Sequence, residues 1–201
     1  MAVAKTQGLD RVALWLALLA PLAVQTYRVL DEHIYYGEYL HWTGLWATWL
    51  LIVTLAVSTL RRFGARLAVT RWLLRRRRDL GLITFAYATA HTLAYLFYKA
   101  DAAVIAREAI DPGMLTGWIA GLIFVLLALT SNDLSVRRLG RRWNTLHRGV
   151  YLAAVLTLAH WLLTAFDPTT GWVHAGLVGV LLVLRVWPRT GSRQPSDTPS
   201  Q

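Results

Sequence analysis

The chain contains no cysteine. That removes disulfides, thiolate-ligated metal sites and iron–sulfur clusters in one step. It has no glycine-rich nucleotide fingerprint after a strand, and no strand pattern of any kind. No segment repeats internally. The polar stretches are too short to build a flavin- or nicotinamide-binding domain. Acids are scarce, 11 against 21 Lys and Arg, and none falls inside an apolar block. Proton-coupled carriers often place an acid there, so a carrier is disfavoured.

What the chain does have is apolar length. Hydrophobic residues make up 56% of it, and its mean hydropathy is +0.41. A soluble domain usually has about 45–50% apolar residues, glycine included. The apolar residues fall into six blocks, 12–30, 44–60, 80–98, 115–131, 146–165 and 172–187. Each is near the length of about 20 residues that a helix needs to span a bilayer. A soluble bundle of very apolar helices is the alternative. The first block follows Lys5 and Arg11, as a signal peptide would. It exceeds a signal core of about 7–15 residues and lacks a clear cleavage site, so it reads as an uncleaved helix.

Charge then orients the spans. Lys5 and Arg11 precede the first block, eight Arg lie in 61–78, five in 137–148 and three beyond 184. The alternate loops hold only Arg28, Lys99 and Arg107 among the basic residues. They carry Asp31, Glu32, Glu38, Asp101, Glu108, Asp111 and Asp167. Basic residues stay on the cytoplasmic side, which puts both termini and both Arg-rich loops there. Tyr and Trp cluster at both sets of boundaries, as membrane interfaces favour. The expectation is an all-α membrane protein, a six-transmembrane-helix bundle with cytoplasmic N- and C-termini. Residues 1–10 form a cytoplasmic N-terminus, 11–188 the membrane domain and 189–201 a disordered tail rich in Ser, Thr, Pro and Gly. The net charge of +10 is thereby accounted for without nucleic acid. A basic cytoplasmic face also attracts anionic membrane lipid.

Six histidines are present. Ionisable groups within a membrane are costly, so each is a candidate site. His33, His41 and His174 fall at the outer boundary and read as wet interfacial residues. His91 and His160 lie deeper, about 16 and 21 Å along their helices at 1.5 Å per residue. Their helices run parallel, so the two imidazoles share a depth. Such a pair can clamp haem iron from both sides. The alternative is two histidines bonded to backbone or hydroxyl groups.

A second layer lies inward. His147 precedes His160 by about 19.5 Å of helix, and Arg77 precedes His91 by a similar length. Arg77 and His91 fall on nearly one face. His147 and His160 are about 140° apart in an ideal helix. Either local overwinding brings them together, or they serve different sides. A guanidinium is a poor iron ligand. Arg75 to Arg78 suit haem propionates or a flavin phosphate, or they act only as a positive-inside anchor.

The segments "RDLGLITFAYATAHTLAY" (78–95) and "TSNDLSVRRLGRRWNTLHRGVYL" (130–152) resemble the MsrQ family. This is the haem-binding membrane subunit of the bacterial protein-methionine-sulfoxide reductase system. "EYLHWTG" (38–44) fits its first outer loop, and the resemblance covers about residues 10–187. The family belongs to the ferric-reductase-like group that includes the membrane part of NADPH oxidases. The resemblance implies a multi-pass b-type cytochrome of the bacterial inner membrane with one or two haem b groups and FMN. It implies electron transfer from a cytoplasmic flavin reductase or quinol to a periplasmic molybdopterin protein, MsrP, which reduces methionine sulfoxide. No catalytic residue is then expected in this chain. By motif match, His91, His147 and His160 fall on the family's haem-iron histidines. Arg77 stands where larger relatives carry another histidine. Rival readings are a quinol-linked ferric reductase and a non-redox transporter or scaffold.

Overall fold

The computed structural model describes residues 2–62 and 68–187. The expected disordered tail, 189–201, lies outside the described residues, as does 63–67 of the first Arg-rich loop. The described residues form ten helices and no strand. These are α1 (Ala2–Leu30), α2 (Tyr36–Arg62), α3 (Ala68–Arg75), α4 (Arg77–Lys99), α5 (Ala102–Glu108), α6 (Pro112–Leu129), α7 (Asp133–Leu139), α8 (Arg141–His147), α9 (Gly149–Thr164) and α10 (Thr169–Val186). Six spans are long and apolar enough to cross a membrane: Gly8–Leu30, Tyr36–Arg61, Arg77–Lys99, Pro112–Leu129, Arg141–Thr164 and Thr169–Val186. The protein is a multi-pass α-helical membrane protein, as its apolar blocks require.

The central helix is α2. One face carries Leu51, Ile52 and Leu55 against Ala154 and Leu158 of α9 and Val178 of α10. Another carries Ala47 and Leu50 against Ile83 and Tyr87 of α4. Its threonines 43, 48, 54 and 59 are buried, and each hydroxyl donates to the carbonyl four residues earlier. A small hydroxyl satisfied within its own helix lets neighbours approach closely in lipid. Large apolar side chains such as Leu122, Leu129 and Val180 stay exposed, which suits contact with lipid tails.

Where they are described, the Arg-rich segments are largely helical. Arg71 and Arg75 lie on α3, and Arg77 opens α4. The segment 137–148 runs through α7 and α8. The caps explain these starts. Asn132 accepts from the Ser135 amide at 2.8 Å and begins α7. Asp111 accepts from the Gly113 amide at 2.9 Å and begins α6, with Pro112 in the first turn. At the same end of the bundle as Asp111, Ala100 takes the left-handed conformation, φ 48°, and ends α4. Asp101 then caps α5 through the amides of Ala103 and Val104.

The third span begins earlier than its apolar block, and it takes in Asp79. The expectation that no acid enters a span is corrected here. Asp79 is buried in the first turn of α4, where a carboxylate suits the helix dipole. It accepts from Arg11 Nε at 2.8 Å and Trp15 Nε1 at 3.1 Å, both on α1. The Tyr87 hydroxyl donates to the Leu18 carbonyl at 2.7 Å. These polar bonds matter because α1 packs on one side only. Asp79→Ala leaves the Trp15 N–H without a buried partner. It is expected to destabilise α1 docking by about 1–3 kcal/mol, read as weakened cross-linking between paired cysteines introduced into α1 and α4.

At the opposite end, Glu108 of α5 accepts from Lys99 at 2.5 Å and Tyr95 at 2.7 Å. The Lys99 hydrogen bond, then the Tyr95 one, holds the Glu108 carboxyl below the ordinary carboxylate range. A depressed carboxylate stabilises above its ordinary value, and that contribution is lost as pH falls through the depressed one. Acidification below the usual carboxylate range is therefore expected to loosen α5 from α4, read as faster amide exchange in 102–108. Glu108→Gln is expected to abolish this pH step.

Candidate functional site

The structure brings His91 of α4 and His160 of α9 together. Their ring centroids lie 6.2 Å apart, with the ring planes at 90°. Each ring is tied to a different neighbouring helix. His91 Nδ1 lies 3.0 Å from the Leu40 carbonyl of α2. His160 Nδ1 lies 2.9 Å from the Gly113 carbonyl of α6. A carbonyl only accepts, so Nδ1 carries the proton in both rings and Nε2 keeps its lone pair. Among the described residues neither Nε2 has a hydrogen-bond partner. This is the arrangement of metal-ligating histidines, where a bond at one nitrogen orients the other.

Two glycines make room for the rings. A Cβ at Gly117 would lie 2.6 Å from His160 Nδ1, and one at Gly44 would lie 3.2 Å from His91 Nδ1. Neither glycine was singled out from the sequence. The available signal is that small residues on membrane helices mark close helix contacts, but that does not say which residue they admit. Thr43 joins the same corner, its hydroxyl 3.5 Å from His91 Nδ1.

His147 lies in a second place. Trp143 stacks on it at 3.9 Å, and its Nε2 lies 3.1 Å from the Thr130 hydroxyl. That hydroxyl also donates to the Leu126 carbonyl at 2.8 Å. Here Nε2, the nitrogen left open in the other two rings, is engaged. Arg77 is near enough to act on the ring electrostatically, and no second imidazole is paired with it among the described residues. His147 meets Thr130, the residue that follows α6, and His160 meets Gly113 in the first turn of α6. The Arg148 amide is shared between the Asn144 and Thr145 carbonyls, and the Tyr151 amide bonds to Arg148 at 3.0 Å. These three-residue bonds tighten the helix at the α8–α9 junction.

The outer histidines divide. His33 and His41 are exposed, and His33 pairs with Asp31 at 3.1 Å. His174 is not a wet interfacial residue, and that expectation is corrected. It is 2% exposed, between Trp49 at 4.6 Å and Trp161 at 4.8 Å. Its Nδ1 donates to the Thr170 carbonyl at 2.7 Å, and its Nε2 is buried without a partner among the described residues. The enclosing indoles come from α2 and α9, so its place at a helix start says nothing of them. No group of three His, Asp or Glu able to hold a metal ion occurs among the described residues.

The model of the ferric reductase like transmembrane component matches residues 43–158, from α2 into α9. The match takes in His91 and stops just before His160, so most of the bundle is a ferric-reductase-like transmembrane domain. Curated relatives narrow this. A "Protein-methionine-sulfoxide reductase heme-binding subunit MsrQ" of Xanthomonas campestris pv. campestris is 38% identical over 79% of this chain and 72% of its own. One from Ralstonia nicotianae is 40% identical over 88% of this chain and 84% of its own. One from Brucella anthropi is 37% identical over 79% and 72%. The chain belongs to the MsrQ family. No solved structure matches it.

The glycine contacts set an order of effects. Gly117→Ala is expected to displace the His160 ring and destabilise by about 1–3 kcal/mol. Gly44→Ala should cost less, and Gly81→Ala, whose Cβ meets nothing within 4 Å, should be near neutral. Thermal unfolding in detergent reads the series.

Proposed function

We propose that this chain is the haem-binding membrane subunit of a methionine-sulfoxide reductase system. It holds haem b between His91 and His160, and it passes electrons across the bacterial inner membrane to the periplasmic molybdopterin protein MsrP. The observation that carries the reading is the 6.2 Å separation of two rings whose Nδ1 atoms are both spent on backbone carbonyls. Metal–imidazole nitrogen bonds are about 2 Å long, so two of them plus two ring half-widths span about 6 Å. Were haem bound, the His91 and His160 imidazoles would hold its iron, and the separation of the rings leaves room for that. When bound, haem supplies a one-electron carrier whose potential depends on its axial ligands and burial.

The chain's own groups do the rest. The Leu40 and Gly113 carbonyls hold the tautomers, so neither imidazole needs to lose a proton or turn in order to ligate. Gly44 and Gly117 keep the rings upright, and the apolar helices exclude water. His147 and Arg77 form the inner station. Its ring takes a ligand through Nε2 only by releasing Thr130, which makes it the weaker of the two. The Arg-rich ends face the cytoplasm, where a flavin reductase or quinol delivers electrons and FMN binds. The acidic loops face the periplasm and steer MsrP.

Purified protein supplied with haem is expected to show a low-spin reduced-minus-oxidised spectrum. His91→Ala and His160→Ala should each lower retained haem by about tenfold or more. His147→Ala should leave that spectrum largely intact. Full haem retention in both of the first two variants would sink the clamp.

A further inference from the structure

Three buried side-chain polar atoms have no hydrogen-bond partner among the described residues: Trp118 Nε1, Tyr151 Oη and His174 Nε2. A buried polar group without a partner is unfavourable, so each needs a reason. His174 Nε2 is an acceptor walled in by two indoles. Tyr151 packs on the apolar cluster of α2, α9 and α10. Trp118 Nε1 differs from both. It is a pure donor, and it lies beside the facing histidines.

Two contacts place it there. Trp118 follows Gly117, the residue whose Cβ would lie 2.6 Å from His160 Nδ1. Its ring also meets Tyr95 of α4 edge-on, with the centroids 6.2 Å apart. Tyr95 lies four residues past His91, about 6 Å further along α4. The indole thus reaches from the helix that supports one histidine to the helix that carries the other. It does so on the side of the pair nearer the acidic loops. The carboxylates at that end are engaged. Glu108 accepts from Tyr95 and Lys99, one on each oxygen. Asp111 Oδ1 accepts from the Gly113 amide.

Two axial nitrogens fix an iron along one line and leave the ring system free to turn about it. A b-type haem has no covalent tie to stop that turning. Its strong acceptors are the two carboxylates at its rim, and a donor beside the clamp would bind one with a charge-assisted hydrogen bond. We propose that the Trp118 indole N–H binds a haem carboxylate and so sets the rotation of the haem about the line between His91 and His160. This rests on the clamp proposed above. Trp118 is six residues past the start of the span Pro112–Leu129, about 9 Å, so the carboxylate lies towards the aqueous end of the span.

The test compares protohaem IX with its dimethyl ester, which keeps the iron and its axial bonds but removes both carboxylate charges. Each is supplied to the purified full chain, and retained haem per chain is measured after gel filtration. Wild type is expected to give a low-spin spectrum with both, and to retain the free acid over the ester by about tenfold. Trp118→Phe keeps an aromatic ring against Tyr95. It should keep the low-spin spectrum and lose the preference. Tyr95→Phe and Lys99→Gln, which remove the neighbouring donors, should keep the preference. Circular dichroism checks folding. If Trp118→Phe does not fold, benzothienylalanine at position 118 serves, since it has the shape of the indole with sulfur in place of N–H. Equal retention of the two haems by wild type overturns the proposal and leaves the clamp standing. So does a preference that survives the change at Trp118, as it would if the indole held only a buried water, or one that is lost in Tyr95→Phe or Lys99→Gln. Absence of a low-spin spectrum with either haem would remove the clamp and this proposal together.

Discussion

A hydrocarbon interior offers no water to a polar side chain, so every imidazole placed there must take its hydrogen bonds from the protein. His91 and His160 each meet this demand at a backbone carbonyl of a neighbouring helix, and much of the bundle's arrangement depends on those two bonds. They link α4 to α2 and α9 to α6. They are possible only because Gly44 and Gly117 let the rings lie against the opposing helices. They also decide the chemistry left over. A nitrogen spent on a carbonyl holds the proton, so the other nitrogen is a ready ligand.

The same demand, met differently, separates the two ends of the molecule. At His147 the engaged nitrogen is Nε2, held by Thr130 under a stacked Trp143, and the nearby charge is Arg77 rather than an imidazole. At Asp79 a buried carboxylate gathers Arg11 and Trp15 and so fastens the outlying α1. Arg75, Arg76 and Arg78 line the same corner. One layer is thus built to present lone pairs and the other gathers arginines.

Much of the fold was legible along the chain. Long apolar blocks with arginines between them leave few alternatives to membrane-crossing helices, because a bilayer selects on length and composition. The shared depth of His91 and His160 was legible too, since depth along a straight helix follows from residue count. Other features were not. Asp79 looked like part of a loop because its neighbours are arginines, yet α4 begins at Arg77 and carries it inward. His174 looked wet because it lies near a helix start, yet two indoles from other helices enclose it. The break between α8 and α9 at Arg148 was hidden too, because an ideal helical period does not foresee it.

The sequence by itself determined how many times the chain crosses the membrane and how deep each histidine lies, because both are properties counted along one helix. Only the tertiary structure decided which rings meet, which nitrogen each keeps open and which glycines admit them. Those depend on the rotation of each helix about its axis and on the backbone of its neighbour, and both are settled by packing.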